Sequence, residues 1–246
     1  MALMKYETKI TLFSSYFDMN DNLSVKSILN IFQDLAGIHA DDIGVGYEDM
    51  LAKNLYWILS RIKFDVLKMP VPNQTVIAQT WPREKGRVDF DREFKILSED
   101  GETLIVGTSK WCVIDTQTRS LQRTENVNYI GEVCPDVNYE DKFAKIVMPD
   151  EKFKESFSYE VRFSDLDHNK HMNNTNYAVL CLNAIENKIV SHFEINFLSE
   201  CLCGDKLVIS VVKTEAPSNV RPLIISIKEI TNNFVILFVI KKHLKT

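Results

Sequence analysis

At 246 residues, 45% of them hydrophobic, the chain is long enough to bury one large core or two smaller ones. Its net charge of -5 argues against indiscriminate binding to nucleic acid, and its five cysteines, an odd number without framework spacing, fit reduced thiols rather than a disulfide scaffold. The opening residues lack the basic and apolar regions of a signal peptide, and the longest apolar run, 234–240, is too short to span a bilayer, so a cytoplasmic protein with no membrane partner is expected.

Residues 5–16 alternate and read as a first strand. A helix is expected from Ser24, a suitable N-cap, because Val25, Ile28, Leu29, Phe32, Leu35 and Ala36 recur on one face at helical spacing. Strands follow at 57–66, 75–81, 88–97 and 103–114, the last two separated by the turn signal EDGE. Residues 131–155 carry Pro135, Pro149 and many charges without a sustained period. They read as a surface linker between an N-terminal domain, 1–130, and a C-terminal domain, 156–246. The second domain repeats the series: a strand at 157–163, a helix at 175–186, and strands at 190–198, 206–213, 223–230 and 234–242.

Sliding one half over the other tests that repetition. At an offset of 150, Phe13-Ser14 falls on Phe163-Ser164; at an offset of 131, residues 60–78 fall without a gap on 191–209 and the apolar positions coincide. The polar chemistry differs. In this register the first half shows no counterpart of Asp167, Asn169 and His171, and Met69-Pro70 stand where the second half has Glu200-Cys201.

The segment 165–174, DLDHNKHMNN, has several readings. A polar turn feeding a helix cap explains Asn173, Asn174 and Thr175, any of which can accept from the first helical N–H groups, but not the histidine and carboxylates upstream. A calcium loop fails, because Lys170 stands where Gly is needed and Asn176 where a Glu should close the loop. A zinc site would join His168 and His171 to Cys201 or Cys203, but two histidines three apart in a loop lack a defined second pair of ligands. The remaining reading is catalytic. If the segment is extended, residues 165, 167, 169 and 171 share one side, lining a pocket with carboxylate, amide and imidazole beside a helix N-terminus. Such a set suits acyl transfer, which needs a general base and fixed donors for a developing oxyanion. Glu200 and Cys201 are candidate partners from the segment between two strands of the same half.

DLDHNKHMNN fits the pattern D-L-D-x-N-x-H-x-N-N, and Tyr177 follows it in the helix. With EC at 200–201 before GD at 204–205, and with LNIFQDLAGIHADDIG, YWILSRIKF, QTWP and SKWCVID in the first half, the chain resembles the bacterial acyl-ACP thioesterases, relatives of the plastid fatty acyl-ACP thioesterases. The resemblance implies an α+β tandem hotdog, each half a long helix wrapped by a curved antiparallel sheet. It implies hydrolysis of the thioester between a fatty acyl chain and the phosphopantetheine arm of acyl carrier protein, without metal or organic cofactor. Asp167, Asn169 and His171 match the family's catalytic residues, and Glu200 and Cys201 its Glu-Cys pair. Two mechanisms stay open: a Cys201 thiolate attacks the thioester, or Glu200 or Asp167 activates water while Asn169 and His171 orient it and polarise the carbonyl. The first half is expected to hold the acyl chain, with Val25, Ile28, Leu29 and Phe32 either lining a tunnel or forming plain core. Arg83, Lys85, Arg87 and Lys170 are candidates for docking the acidic carrier. An acyl-CoA thioesterase, a noncatalytic acyl sensor and a hydratase are the rivals, and a homodimer is compatible with the sequence.

Overall fold

The computed structural model describes residues 4–128, 130–140, 143, 152–185, 189–213, 223–229 and 235–241. The chain forms two compact units, Met1–Lys142 and Phe143–Thr246. Among the described residues, no helix is long and apolar enough to cross a membrane.

The first unit runs β1 (Tyr6–Thr11), a 3-10 turn (Ser14–Tyr16), α1 (Val25–Asp42), α2 (Tyr47–Leu51), β2 (Leu55–Val66), β3 (Thr75–Pro82), β4 (Phe90–Ser98) and β5 (Thr103–Asp115). Its strands pair antiparallel in the order β1-β3-β4-β5-β2. α1 starts where the sequence places it: Ser24 is extended, and its side chain accepts from the Ser27 N–H, satisfying one of the first-turn donors. The helix ends as Gly44, at φ 74°, turns the chain in the left-handed region that favours glycine. Between these caps Val25, Ile28, Leu29, Phe32, Leu35 and Ala36 are all buried, and α1 packs against β3.

Phe32 shows how closely this helix sits. Its ring stacks on Phe94 at 4.4 Å between centroids and meets Phe64 edge-on at 6.3 Å. A Cβ on Gly107 would come within 2.3 Å of the ring, so β5 passes under α1 only because that position has no side chain.

Residues 131–140, the start of the expected surface linker, are hydrogen-bonded to the first unit. Met4 N–H donates to the Glu132 carbonyl, the Trp81 indole to the Asp136 carbonyl, and the Asn138 amide to the carbonyls of Phe94 and Gly107. The Tyr139 hydroxyl donates to Asp65 at 2.7 Å. The buried Glu93 carboxylate accepts from Thr108 Oγ1 and the Asn138 N–H and faces Arg83 at 3.6 Å, while burial pushes its pKa up.

The second unit runs β6 (Lys154–Glu160), a 3-10 turn (Phe163–Asp165), α3 (Asn174–Ile185), β7 (His192–Asn196), β8 (Lys206–Lys213), β9 (Leu223–Glu229) and β10 (Val235–Lys241). Its antiparallel order, β6-β8-β9-β10-β7, repeats that of the first unit strand for strand. α3 packs against β8, the counterpart of β3.

The correspondence reaches single hydrogen bonds. Leu12 N–H donates to Gln74 O at 2.9 Å, and Val161 N–H to Asp205 O at 2.9 Å; Asn73 N–H donates to Leu12 O at 2.7 Å, and Gly204 N–H to Val161 O at 2.8 Å. The Gln74 side chain accepts from Val71 N–H as the Asp205 carboxylate accepts from Leu202 N–H. Asn73 and Gly204 both have positive φ. The offset of 131 expected from the apolar pattern therefore holds, whereas the strands leading to the helices match at 149, one less than the expected 150.

Candidate active site

The segment 165–171 is not extended. Asp165 closes the 3-10 turn after β6: its Oδ2 accepts from the Arg162 N–H and from the Tyr159 hydroxyl, each at 2.8 Å. Leu166 and Met172 then pair as an isolated antiparallel bridge around a tight hairpin. Within it Asp167 N–H donates to His171 O at 2.9 Å and Lys170 N–H to Asp167 O at 3.0 Å, with Lys170 at φ 65°. Asp167 Oδ1 accepts from the Asn169 N–H at 2.8 Å, which makes the aspartate a turn former. Asp165 is thus spent on structure, and the expectation of one shared strand face is corrected to a hairpin that carries Asp167, Asn169 and His171 around its loop.

The asparagines after the hairpin start the helix. Asn173 Oδ1 accepts from the N–H and the hydroxyl of Thr175, both at 2.9 Å, while Asn173 N–H and the Asn176 amide donate to the Asp165 carbonyl. Of the three capping candidates, Asn173 is the one that caps. His171 lies just before this rigid start.

Glu200 reaches the hairpin from the segment between β7 and β8. Met172 N–H donates to the Cys201 carbonyl at 2.8 Å, and this backbone link sets the two segments side by side. His171 Nε2 and Glu200 Oε2 are 3.4 Å apart, with the two side chains 24% and 28% exposed. An imidazole and a carboxylate at this distance, half out of water, can orient one another and share a proton. Asn169 is half-buried, and its side-chain amide has no hydrogen bond among the described residues. Cys201 is 7% exposed and Cys203 lies at the surface. Among the described residues, no group of three or more His, Cys, Asp or Glu side chains could hold a metal ion.

Sequence reasoning placed Tyr177 in the helix after the polar segment and missed the burial of its polar end. The residue is 1% exposed and its ring meets Phe197 edge-on at 5.7 Å. Among the described residues the hydroxyl has no hydrogen-bond partner of ordinary geometry, although the thiol and backbone of Cys201 stand beside it. Burial, then the neighbouring Cys201 thiol and more weakly Glu200, push its pKa far above the usual tyrosine value. A buried hydroxyl left unpaired costs about 1–3 kcal/mol. A lone phenol among aliphatic residues was the sequence signal for it.

The first unit holds a matching hairpin. Phe17 and Leu23 form the bridge, Asp18 N–H donates to Asn22 O at 2.9 Å, Asp21 N–H to Asp18 O at 3.1 Å, and Asp18 Oδ1 accepts from Asn20 N–H at 2.8 Å. At the offset of 149, Asp18 matches Asp167 and Asn20 matches Asn169. The expectation that these two lack counterparts is therefore corrected. What the first hairpin lacks is the imidazole, replaced by Asn22, and the Glu-Cys pair, replaced by Met69-Pro70.

Comparison with known families gives two successive matches, the acyl-ACP thioesterase N-terminal domain over residues 4–129 and the acyl-ACP thioesterase C-terminal domain over residues 148–243. The chain belongs to the acyl-ACP thioesterase family. An oleoyl-acyl carrier protein thioesterase of Arabidopsis thaliana is 26% identical over 245 residues, covering 87% of this chain and 64% of the relative. A chloroplastic acyl-acyl-carrier-protein hydrolase of Cuphea viscosissima is 27% identical over 196 residues, covering 74% of this chain and 45% of the relative. The chain thus spans roughly half to two thirds of these plant acyl-ACP thioesterases. A crystal structure of an acyl-ACP thioesterase from Bacteroides thetaiotaomicron superposes with a TM-score of 0.82 at 22% identity over 98% of both chains. The fold is the α+β tandem hotdog of this family.

Proposed function

We propose that the chain hydrolyses the thioester joining a fatty acyl group to the phosphopantetheine arm of acyl carrier protein, releasing free fatty acid and the carrier thiol. The observation that carries this reading is the approach of His171 to Glu200 at 3.4 Å in the second unit, at the positions where the first unit has Asn22 and Met69. Family membership supplies the substrate class.

In the proposed reaction Glu200 accepts a proton from water as the water oxygen attacks the thioester carbonyl carbon, with His171 orienting the pair. Asn169, whose amide is uncommitted, donates to the carbonyl oxygen as it becomes an oxyanion, and the α3 N-terminus lies close in sequence to favour that charge. The intermediate collapses with cleavage of the C–S bond, and the proton held by Glu200 passes to the leaving thiolate. Asp167 shapes the loop that presents Asn169 and His171. Cys201, buried beside Tyr177, serves as packing in this mechanism and not as the nucleophile. The first half binds the acyl chain in the same reading.

The test offers the purified chain matched acyl-ACP and acyl-CoA series and measures free fatty acid and free thiol for each chain length. Release from the acyl-ACP series is expected. Release from acyl-CoA alone refutes the carrier, and release from neither refutes hydrolysis. Cys201→Ala is expected to retain hydrolysis, whereas a wild-type acyl-enzyme that the variant cannot form would establish the thiol mechanism instead.

A further inference from the structure

We infer that Tyr177 is a positioning residue: its buried hydroxyl braces the Cys201 end of the Glu200 segment and so holds the Glu200 carboxylate against His171. The inference rests on the hydrolase reading and adds to it a residue from the helix interior.

Three observations meet at this point. Among the described residues the Tyr177 oxygen is sealed from solvent without a hydrogen bond of ordinary geometry, so packing alone gives no reason for a phenol where phenylalanine would fit as well. The groups beside it are the thiol and backbone of Cys201, and burial followed by the Cys201 thiol keeps the phenol protonated, hence a donor. Cys201 is in turn the residue whose carbonyl accepts from Met172 N–H, the bond that holds the Glu200 segment to the hairpin next to His171. A hydroxyl standing beside Cys201 therefore bears on where its neighbour Glu200 lies. The ring also meets Phe197 edge-on, on the same segment that leads from β7 to Glu200. Both ends of that segment thus bear on one tyrosine.

Tyr177→Phe keeps the ring and removes only the oxygen. On the acyl-ACP series that wild type hydrolyses, kcat is expected to fall on the order of 10- to 100-fold with KM unchanged, the cost of a small misplacement of a catalytic group. The melting temperature is expected to hold or rise, because an unsatisfied polar atom leaves the core. In the resting protein the imidazole NMR signals of His171 are expected to move as they do in Glu200→Gln. A variant whose kcat and His171 signals both match wild type overturns the inference, and so does one that loses activity only in proportion to a reduced folded fraction. If wild type releases no fatty acid from either series, the hydrolase reading fails, while the His171 signals still decide whether Tyr177 positions Glu200.

Discussion

Gly107→Ala puts the packing of the first unit to a quantitative test. The added Cβ meets Phe32 Cε2 at 2.3 Å and Cζ at 2.8 Å, with the Lys63 carbonyl at 3.3 Å on the neighbouring strand. An ordinary carbon contact is about 3.5 Å, so roughly 1.2 Å must be recovered by moving the ring or the helix that carries it. The ring cannot swing freely, since Phe94 covers one face at 4.4 Å and Phe64 abuts it. Overpacking of this kind costs about 1–3 kcal/mol, offset in part by the ~0.5–1 kcal/mol that alanine gains over glycine within a strand or helix. The net loss of about 0.5–2 kcal/mol corresponds to a melting temperature lower by about 2–8 °C for a unit of this size, read by calorimetry or circular dichroism. Adding Phe32→Leu should restore part of it. An unchanged or raised melting temperature would refute the reasoning, because it would mean that Phe32 borders space into which it can retreat, as the wall of an acyl tunnel would and a filled core does not.

Glu200→Gln keeps shape and removes the proton acceptor; kcat for acyl-ACP hydrolysis is expected to fall about 10²- to 10⁴-fold with little change in KM, and near-normal turnover would remove Glu200 as the base. His39 predicts a pH dependence of stability: burial, reinforced by Arg92, whose guanidinium donates to its Nδ1 at 3.0 Å, lowers its pKa to about 4. Between pH 6.5 and 4 the unfolded chain takes up a proton that the fold refuses, so stability falls on acidification, by up to about 3 kcal/mol below pH 4. Glu93, shifted upward by burial, works in the opposite sense, so the effect is read as the difference between wild type and His39→Gln in urea unfolding at several pH values. Parallel curves for the two proteins would show that His39 is not the titrating group.

The elements that bury an apolar face were legible in the sequence. α1 begins at its Ser24 cap, and the strand expected at 206–213 is β8 to the residue, because hydrophobic period and capping chemistry are local properties. The site was half legible. Polar residues at every second position suggest a strand, yet an aspartate that bonds the N–H two residues on produces the same spacing, and that is how Asp167 and Asn169 are related. The strand expected at 157–163 stops at Glu160 for a related reason, since Asp165 folds back on Arg162. Glu200 came to light only through the comparison of halves and the family resemblance, because a contact across 29 residues of sequence leaves no periodic trace. The strap at 131–140 was hidden by its chemistry: Asn138 and Tyr139 serve backbone carbonyls and a carboxylate, and in a string of letters they look like any solvent-facing polar residues.

The hairpin around Asp18 acts as a built-in control for its twin. It retains the aspartate and the asparagine in the same bonds while missing the imidazole and the glutamate, so architecture alone is reason enough to keep an aspartate there. Inactivation on replacing Asp167 would consequently say little about proton transfer until the corresponding change at Asp18 had been made and its effect on folding subtracted.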